Sequence, residues 1–250
     1  MIATIFHKGE TYKVDLSHPM PISIPIQHNN GVRAWYVDFP KIEPVKMGNW
    51  VGEVKQGGSV NFKDIYFNPH GHCTHTECVG HITPEDISIF QTLRNYFFKS
   101  KLISVLPEYL ENGDKVITQQ SLLPHLNEDT SIDALIIRTI PNDESKFVAN
   151  YSNTNPIYLT KYAVEYIVQK NVQHLILDLP SIDKEKDDGQ LIGHKTFWNY
   201  PVEKFSLKTI TELAFIPNSI LDDWYFLNLQ IAPLHNDATP SNPVLYRLVK

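Results

Sequence analysis

The chain is expected to adopt an α/β fold, a single domain over residues 1-250 in which helices pack on a mixed sheet. Three observations predict it. Ala134-Leu135-Ile136-Ile137-Arg138-Thr139 is a short apolar, β-branched run of the kind that forms a buried strand. Residues 160–170 place Ala163, Val164, Ile167 and Val168 at helical spacing, with Thr160 positioned as the N-cap. His174-Leu175-Ile176-Leu177-Asp178 then reads as a second strand, so 135–178 is strand–helix–strand. Across 250 residues no linker, repeat or low-complexity tract marks a boundary, and 42% hydrophobic content is enough for one sizeable core.

The remaining elements follow in order. Tyr12-Lys13-Val14-Asp15-Leu16-Ser17 alternates like an early strand, which His18-Pro19-Met20-Pro21 breaks. Residues 22–60 are rich in Pro, Gly and Asn, with a β-like piece at Ala34-Trp35-Tyr36-Val37. Val60 to Phe67 alternates into a histidine-rich segment, and Leu102 to Leu106 is a further strand. Asp183 to Gly189 is a charged run expected to form a solvated loop. Ser206 to Ala214 is expected to form a helical turn or two, and Pro243 to Arg247 alternates weakly.

Composition narrows the function classes. Lys plus Arg number 22 against 28 for Asp plus Glu, a net charge of −6, which argues against nucleic acid as a partner. No stretch approaches the length of an apolar membrane span, and Met1 to Lys8 lacks the apolar core of a signal peptide. With only two cysteines and no export signal, the expectation is a protein of the reducing cytoplasm.

Chemistry concentrates between Asn68 and Ile82, N-P-H-G-H-C-T-H-T-E-C-V-G-H-I. His70, His72, His75 and His81 share this segment with Glu77. Imidazole and carboxylate are ligands of zinc, manganese and iron, and imidazole is the usual general base near neutral pH. His75 and Glu77 are two apart, so an extended strand points both to one face and Thr74, Thr76 and Cys78 to the other. The spacing is not H-E-x-x-H. Cys73 and Cys78 lack the C-x-x-C spacing and a second pair, so they read as small buried residues.

These residues resemble the cyclase-like metal hydrolases, the family containing bacterial kynurenine formamidase and isatin hydrolase, whose motif is H-x-G-T-H-x-D-x-P-x-H. Thr74-His75 matches the T-H pair, Glu77 stands at the Asp, and His81 matches the last His. Asp15-Leu16-Ser17-His18-Pro19 is similar to the family's opening D-L-S-H-P, Ile136-Ile137-Arg138-Thr139 to its L-L-R-T, and Tyr158-Leu159-Thr160 to its Y-L-T. Asp178-Leu179-Pro180-Ser181-Ile182-Asp183 is similar to D-x-P-S-x-D, and Asn242-Pro243-Val244 to the end of G-S-P-V-R. The order of these matches carries the resemblance across most of the chain. Gly71 occupies the position of the family's first His, so either His70, after a one-residue insertion, or His72 takes that role. Cys73 replaces the motif's Gly and Val79 its Pro.

The resemblance implies a swivelling β/β/α fold and one or two divalent ions, zinc or manganese. It implies His70, His75 and Glu77 as ligands of one ion, with Glu77, His194 and Glu212 serving a second. It also implies an oligomer. His81, not needed for ligation, becomes the acid/base for metal-dependent hydrolysis of an amide, formamide, lactam or lactone, as in an arylformamidase. A divalent ion lowers the pKa of its water from 15.7 towards ~7. Trp35, Trp50 and Phe67 are candidates for an aryl pocket. The rival readings are a small-molecule-binding protein without catalysis, or a metal that only stabilises the fold.

Overall fold

The alternating residues of 134–139 serve two cores, one on each face of the sheet they build. A computed structural model describes residues 1–126 and 132–249. An N-terminal hairpin, β1 (Ile2–His7) and β2 (Glu10–Asp15), precedes β3 (His75–Glu77), β4 (Phe97–Val105), β5 (Ala134–Thr139), β6 (His174–Leu177), β7 (Thr209–Glu212), β8 (Trp224–Ile231) and β9 (Ala238–Val249). Strands β4, β5, β6 and β7 run parallel in that order. β3 lies antiparallel between β7 and β9, and β8 joins β9 back to β4. The seven strands β3 to β9 thus close into a ring, which satisfies edge hydrogen-bonding groups within the sheet. Strand β2 extends β9 on the outside, with Val14 opposite Leu248.

Helices α1 (Gln119–Leu126), α2 (Lys161–Gln169) and α3 (Ile192–Trp198) cover the outer face. There Leu135, Ile137, Leu175 and Leu177 pack with Leu122, Ile167 and Trp198. Ala134, Ile136 and Ile176 turn the other way, to Leu102, Leu227 and Leu245 inside the ring. Each fully buried Leu or Ile contributes about 1.5–3 kcal/mol. Thr160 caps α2 as its sequence suggests, its hydroxyl oxygen accepting from the Ala163 N–H at 3.3 Å.

The mixed α/β architecture is the one expected, and four expectations within it need correction. Residues 34–37 form a turn, with Trp35 and Tyr36 at φ of 59° and 61°, because the chain reverses there over the histidine segment. Residues 206–214 hold strand β7 and no helix; the β-branched run Thr209-Ile210-Thr211 fits between β6 and β3, all of it buried. The histidine segment opens with a helical turn, Pro69–His72, before β3. The charged run 183–189 is irregular but only partly solvated. Asp183 is buried, and Glu185 accepts from the Tyr36 hydroxyl at 2.8 Å. Among the described residues, no helix is long and apolar enough to cross a membrane.

Candidate metal centre

Strand β3 supplies the centre because its alternation separates two chemistries. Thr76 turns towards Thr211, their hydroxyls 2.7 Å apart, and Thr74 donates to the Leu213 carbonyl. Cys78 packs into the core of the ring, and neither cysteine is in a disulfide. Burial pushes the Cys73 thiol up to about 12 and that of Cys78 to about 11, so both stay protonated and inert. His75 and Glu77 emerge together on the opposite, helix-covered face, each 0% exposed. The register places Glu212 of β7 directly across from His75, and His75 Nε2 lies 3.5 Å from Glu212 Oε2.

The other donors arrive from three directions. His70, on the helical turn, puts Nδ1 3.2 Å from Glu77 Oε2. His194, on α3, puts Nε2 3.0 Å from Glu77 Oε1 and 3.9 Å from Glu212 Oε1. His81 follows on a 3-10 turn, its Nε2 3.9 Å from Glu77 Oε2. Ligand atoms of His75, Glu77 and Glu212 fall within 4.8 Å of one another, and so do those of His70, Glu77 and His81. Glu77 belongs to both groups. All six residues singled out from the sequence, His70, His75, Glu77, His81, His194 and Glu212, therefore meet, although His75 groups with Glu212 and not with His70.

His72 is elsewhere. Its Nδ1 accepts from the Asn68 N–H at 2.9 Å and its Nε2 donates to the Asp38 carbonyl at 2.6 Å, so neither nitrogen is left for an ion. Burial holds its pKa below the usual range. Gly71 explains why the histidine stands at 70. A Cβ at position 71 would meet Val37 Cγ2 at 2.7 Å and the Ala34 carbonyl oxygen at 3.1 Å, so a side chain there would force Val37 and the 34–37 turn to shift.

Every ring in the cluster is tied at one nitrogen by a group outside the ligand set and turns the other towards the carboxylates, where His194 Nε2 meets Glu77 Oε1 and His75 Nε2 has no hydrogen-bond partner among the described residues. His75 Nδ1 lies 3.1 Å from the Cys73 carbonyl, and His194 Nδ1 2.6 Å from Asp183 Oδ2. His70 Nε2 and His81 Nδ1 both reach Asp237 Oδ2, at 2.9 and 3.0 Å. Asp183 also accepts from the Gly193 N–H, a close approach that a Cβ at 193 would obstruct at 2.8 Å. The second nitrogens converge on Glu77 and Glu212. Among the described residues, His75 Nε2 and Glu77 Oε2 are fully buried without a hydrogen-bond partner. Such atoms are costly unless something else occupies the space between them.

Electrostatics point the same way. Burial opposes a charged His70, but the carboxylates of Asp237 and Glu77 outweigh it and hold its pKa up at about 10. Burial likewise opposes charge on His194, and Asp183 and Glu77 raise it well above the usual range. Glu77 is pulled well below the carboxylate range, against its burial, by His81 and His194. A field that draws protons onto buried imidazoles also draws a cation, which would replace those protons on binding. The donor set of imidazole nitrogens and carboxylate oxygens fits a divalent ion of the zinc or manganese type.

A cavity of about 320 Å³ opens beside the cluster, lined by His70, His81 and His194, by the apolar Trp35, Val37 and Leu191, and by the charged Lys184, Glu185 and Asp187. Of the aromatic candidates, Trp35 lines it. Phe67 faces a neighbouring groove with Asp38 and His72. Trp50 pairs with Phe62, their rings 6.4 Å apart, on the outlying segment.

A family model described as putative cyclase matches residues 14–184. The chain belongs to the cyclase family. No curated protein sequence matches it. Among solved structures, this cyclase-family chain is similar to a predicted metal-dependent hydrolase from Bacillus stearothermophilus, at 17% identity over 92% of this chain and 98% of the other, with a TM-score of 0.62. It is also similar to isatin hydrolase A from Labrenzia aggregata bound to benzyl benzoate, at 10% identity over 92% and 93%, with a TM-score of 0.63. An isatin hydrolase bound to the product analogue thioisatinate gives 12% identity over 92% of each chain, with a TM-score of 0.61. At these identities the likeness is one of fold.

Sequence reasoning missed two residues of the cluster. Asp183 was visible in the D-x-P-S-x-D stretch but carried no assigned role. Asp237 stands in His235-Asn236-Asp237, where neither spacing nor composition marks it.

Proposed function

We propose that this chain is a metal-dependent hydrolase that cleaves an amide, formamide, lactam or lactone bond of a small substrate carrying an apolar, aryl-sized group. The observation that carries the reading is the pair of buried, unpartnered atoms, His75 Nε2 and Glu77 Oε2, facing further donors across one small space. His70, His75, Glu77, His194 and Glu212 would hold one or two divalent ions, with Glu77 shared. When bound, such an ion supplies an acidic water and polarises a carbonyl.

The chain's own residues do the rest. Asp183 and the Cys73 carbonyl orient His194 and His75. His81 is the most exposed ring of the four and borders the cavity, so it serves as acid/base, taking a proton from water and returning it to the leaving nitrogen or oxygen. Trp35, Val37 and Leu191 offer an apolar wall that excludes water from the substrate's ring. The isatin hydrolases of similar fold support the choice of a cyclic amide among the candidates.

Elemental analysis of the purified protein, followed by a panel of formamides, lactams and lactones, tests this reading. Zinc or manganese near one or two per chain, and turnover of one panel member abolished by chelation, is the expected result. Absence of metal even after incubation with both ions would end it. Metal and tight ligand binding without hydrolysis would move the protein to a binding role.

A further inference from the structure

Asp237 stands outside the ligand set, yet one of its oxygens touches two rings of the cluster. Oδ2 lies 2.9 Å from His70 Nε2 and 3.0 Å from His81 Nδ1, and the two rings are 4.3 Å apart, centre to centre. The backbone around it is pinned to the same segment that carries the histidines. Cys78 N–H donates to the Asp237 carbonyl at 3.1 Å, and Ile89 N–H to that of Asn236 at 2.9 Å. Ala238 pairs with Glu77 in the register of β3 and β9. The carboxylate is therefore held in place by main chain, and the two rings are held by the carboxylate.

A carboxylate accepts hydrogen bonds and cannot donate them. Both nitrogens facing Oδ2 must then carry hydrogen: Nε2 of His70 and Nδ1 of His81. In the neutral rings this leaves lone pairs on His70 Nδ1 and His81 Nε2, the two atoms that face Glu77 Oε2 at 3.2 and 3.9 Å. We infer that Asp237 is a positioning residue whose single oxygen fixes the tautomer and orientation of both His70, as metal ligand, and His81, as acid/base. Ligand and base are thus tied to one atom. Displacing it loosens metal binding and proton transfer together. Asp183 holds one ring of the cluster, His194, whereas Asp237 holds two.

The inference rests on the hydrolase reading above, and its test separates the two. Wild type, Asp237→Asn and Asp237→Glu are titrated with zinc against a chromophoric chelator. The zinc forms are then compared by two-bond 1H–15N correlation of the histidine rings and by turnover of whichever panel substrate wild type cleaves. Asp237→Asn is expected to weaken zinc binding about 10–100-fold, as loss of a carboxylate behind a ligating His generally does. It should also move His81 from the Nδ1–H to the Nε2–H form. Asp237→Glu should recover part of the affinity and of the ring signature, which a change in general packing would not. Circular dichroism and melting confirm that each variant is folded, and Asp237→Glu carries the test if Asp237→Asn is not. A zinc-binding wild type whose Asp237→Asn variant keeps its affinity and its His81 tautomer overturns the inference, with or without turnover. A wild type that binds no zinc overturns the hydrolase reading, and this inference falls with it.

Discussion

Lys146 and Asp178 form one buried ionic cluster, and Glu77 with its histidines forms another. In the first, every atom is answered. Lys146 Nζ donates to Asp178 Oδ2 at 2.6 Å, to Asn142 Oδ1 at 2.9 Å and to Thr139 Oγ1 at 3.0 Å. Asp178 also accepts from the Thr139 N–H at 2.8 Å. Burial pushes the Asp178 carboxyl up in spite of the lysine beside it. In the second, Glu77 Oε2 and His75 Nε2 go unanswered, and His70, His81 and His194 turn a ring nitrogen towards the same Glu77 carboxylate. A saturated cluster only holds the fold, whereas an unsaturated one of mixed sign has capacity for a cation. Degree of saturation, not burial, is what distinguishes the two clusters.

The largest expected effect tests the functional side. His81→Ala should keep its metal and fold yet lose ~10²–10⁴ in kcat, about 3–5 kcal/mol of barrier. Steady-state kinetics beside metal analysis decide it, and metal loss would make His81 a ligand. On the structural side, Lys146→Met should cost about 3–5 kcal/mol in denaturant unfolding, since it strands a buried Asp178. Its zinc affinity should not change; if it falls with stability, the two clusters are not separate.

His174 sharpens the contrast, being a buried histidine that faces Thr209 and the Phe98 ring. Burial lowers its pKa to about 4, with Asp133 opposing only weakly. Its folded pKa thus lies below the unfolded value near 6.5, and the folded state resists the proton. Stability is fully present above about pH 6.5 and falls as pH drops towards 4, by up to about 3 kcal/mol. His174→Gln should flatten that part of the urea-derived stability profile relative to wild type. A parallel profile would show that His174 is not the cause.

Metal binding should itself stabilise. At 100 times Kd, zinc or manganese should add about 2.7 kcal/mol, read as a rise in Tm, and Glu77→Gln should abolish most of it. The smallest effect distinguishes neighbours. His70→Ala should weaken metal binding far more than His72→Ala, which should instead cost about 1–3 kcal/mol of stability through its two lost hydrogen bonds.

The clustering of the candidate ligands was legible because strand spacing and motif order are local properties. His75 and Glu77 share a face wherever a strand forms, and β5 and α2 declared themselves by their own periodicity. The partnerships were not legible. That His75 would meet Glu212 depends on β7 pairing with β3 across 135 residues, and Ser206 to Ala214 read locally as helix. Gly71 could be seen as a departure, but the reason for it lay in Val37 and Ala34, more than thirty residues away. Asp237 gave no local signal at all, since its role exists only once β9 lies against β3.

Strand β3 also sets an order of events. Its three residues close the ring, and their partners stand at 210–212 and 238–240. When residue 81 has been synthesised, the chain already holds His70, His75, Glu77 and His81, but nothing fixes them. His194, Glu212 and Asp237 come more than a hundred residues later, and closing loops of that length carries an entropic cost that grows only slowly with length but must be met before any of these contacts forms. The centre is therefore completed only when β9 has been laid down. A chain shortened before β9 would keep most of the donors in its sequence and have no fixed place to hold an ion.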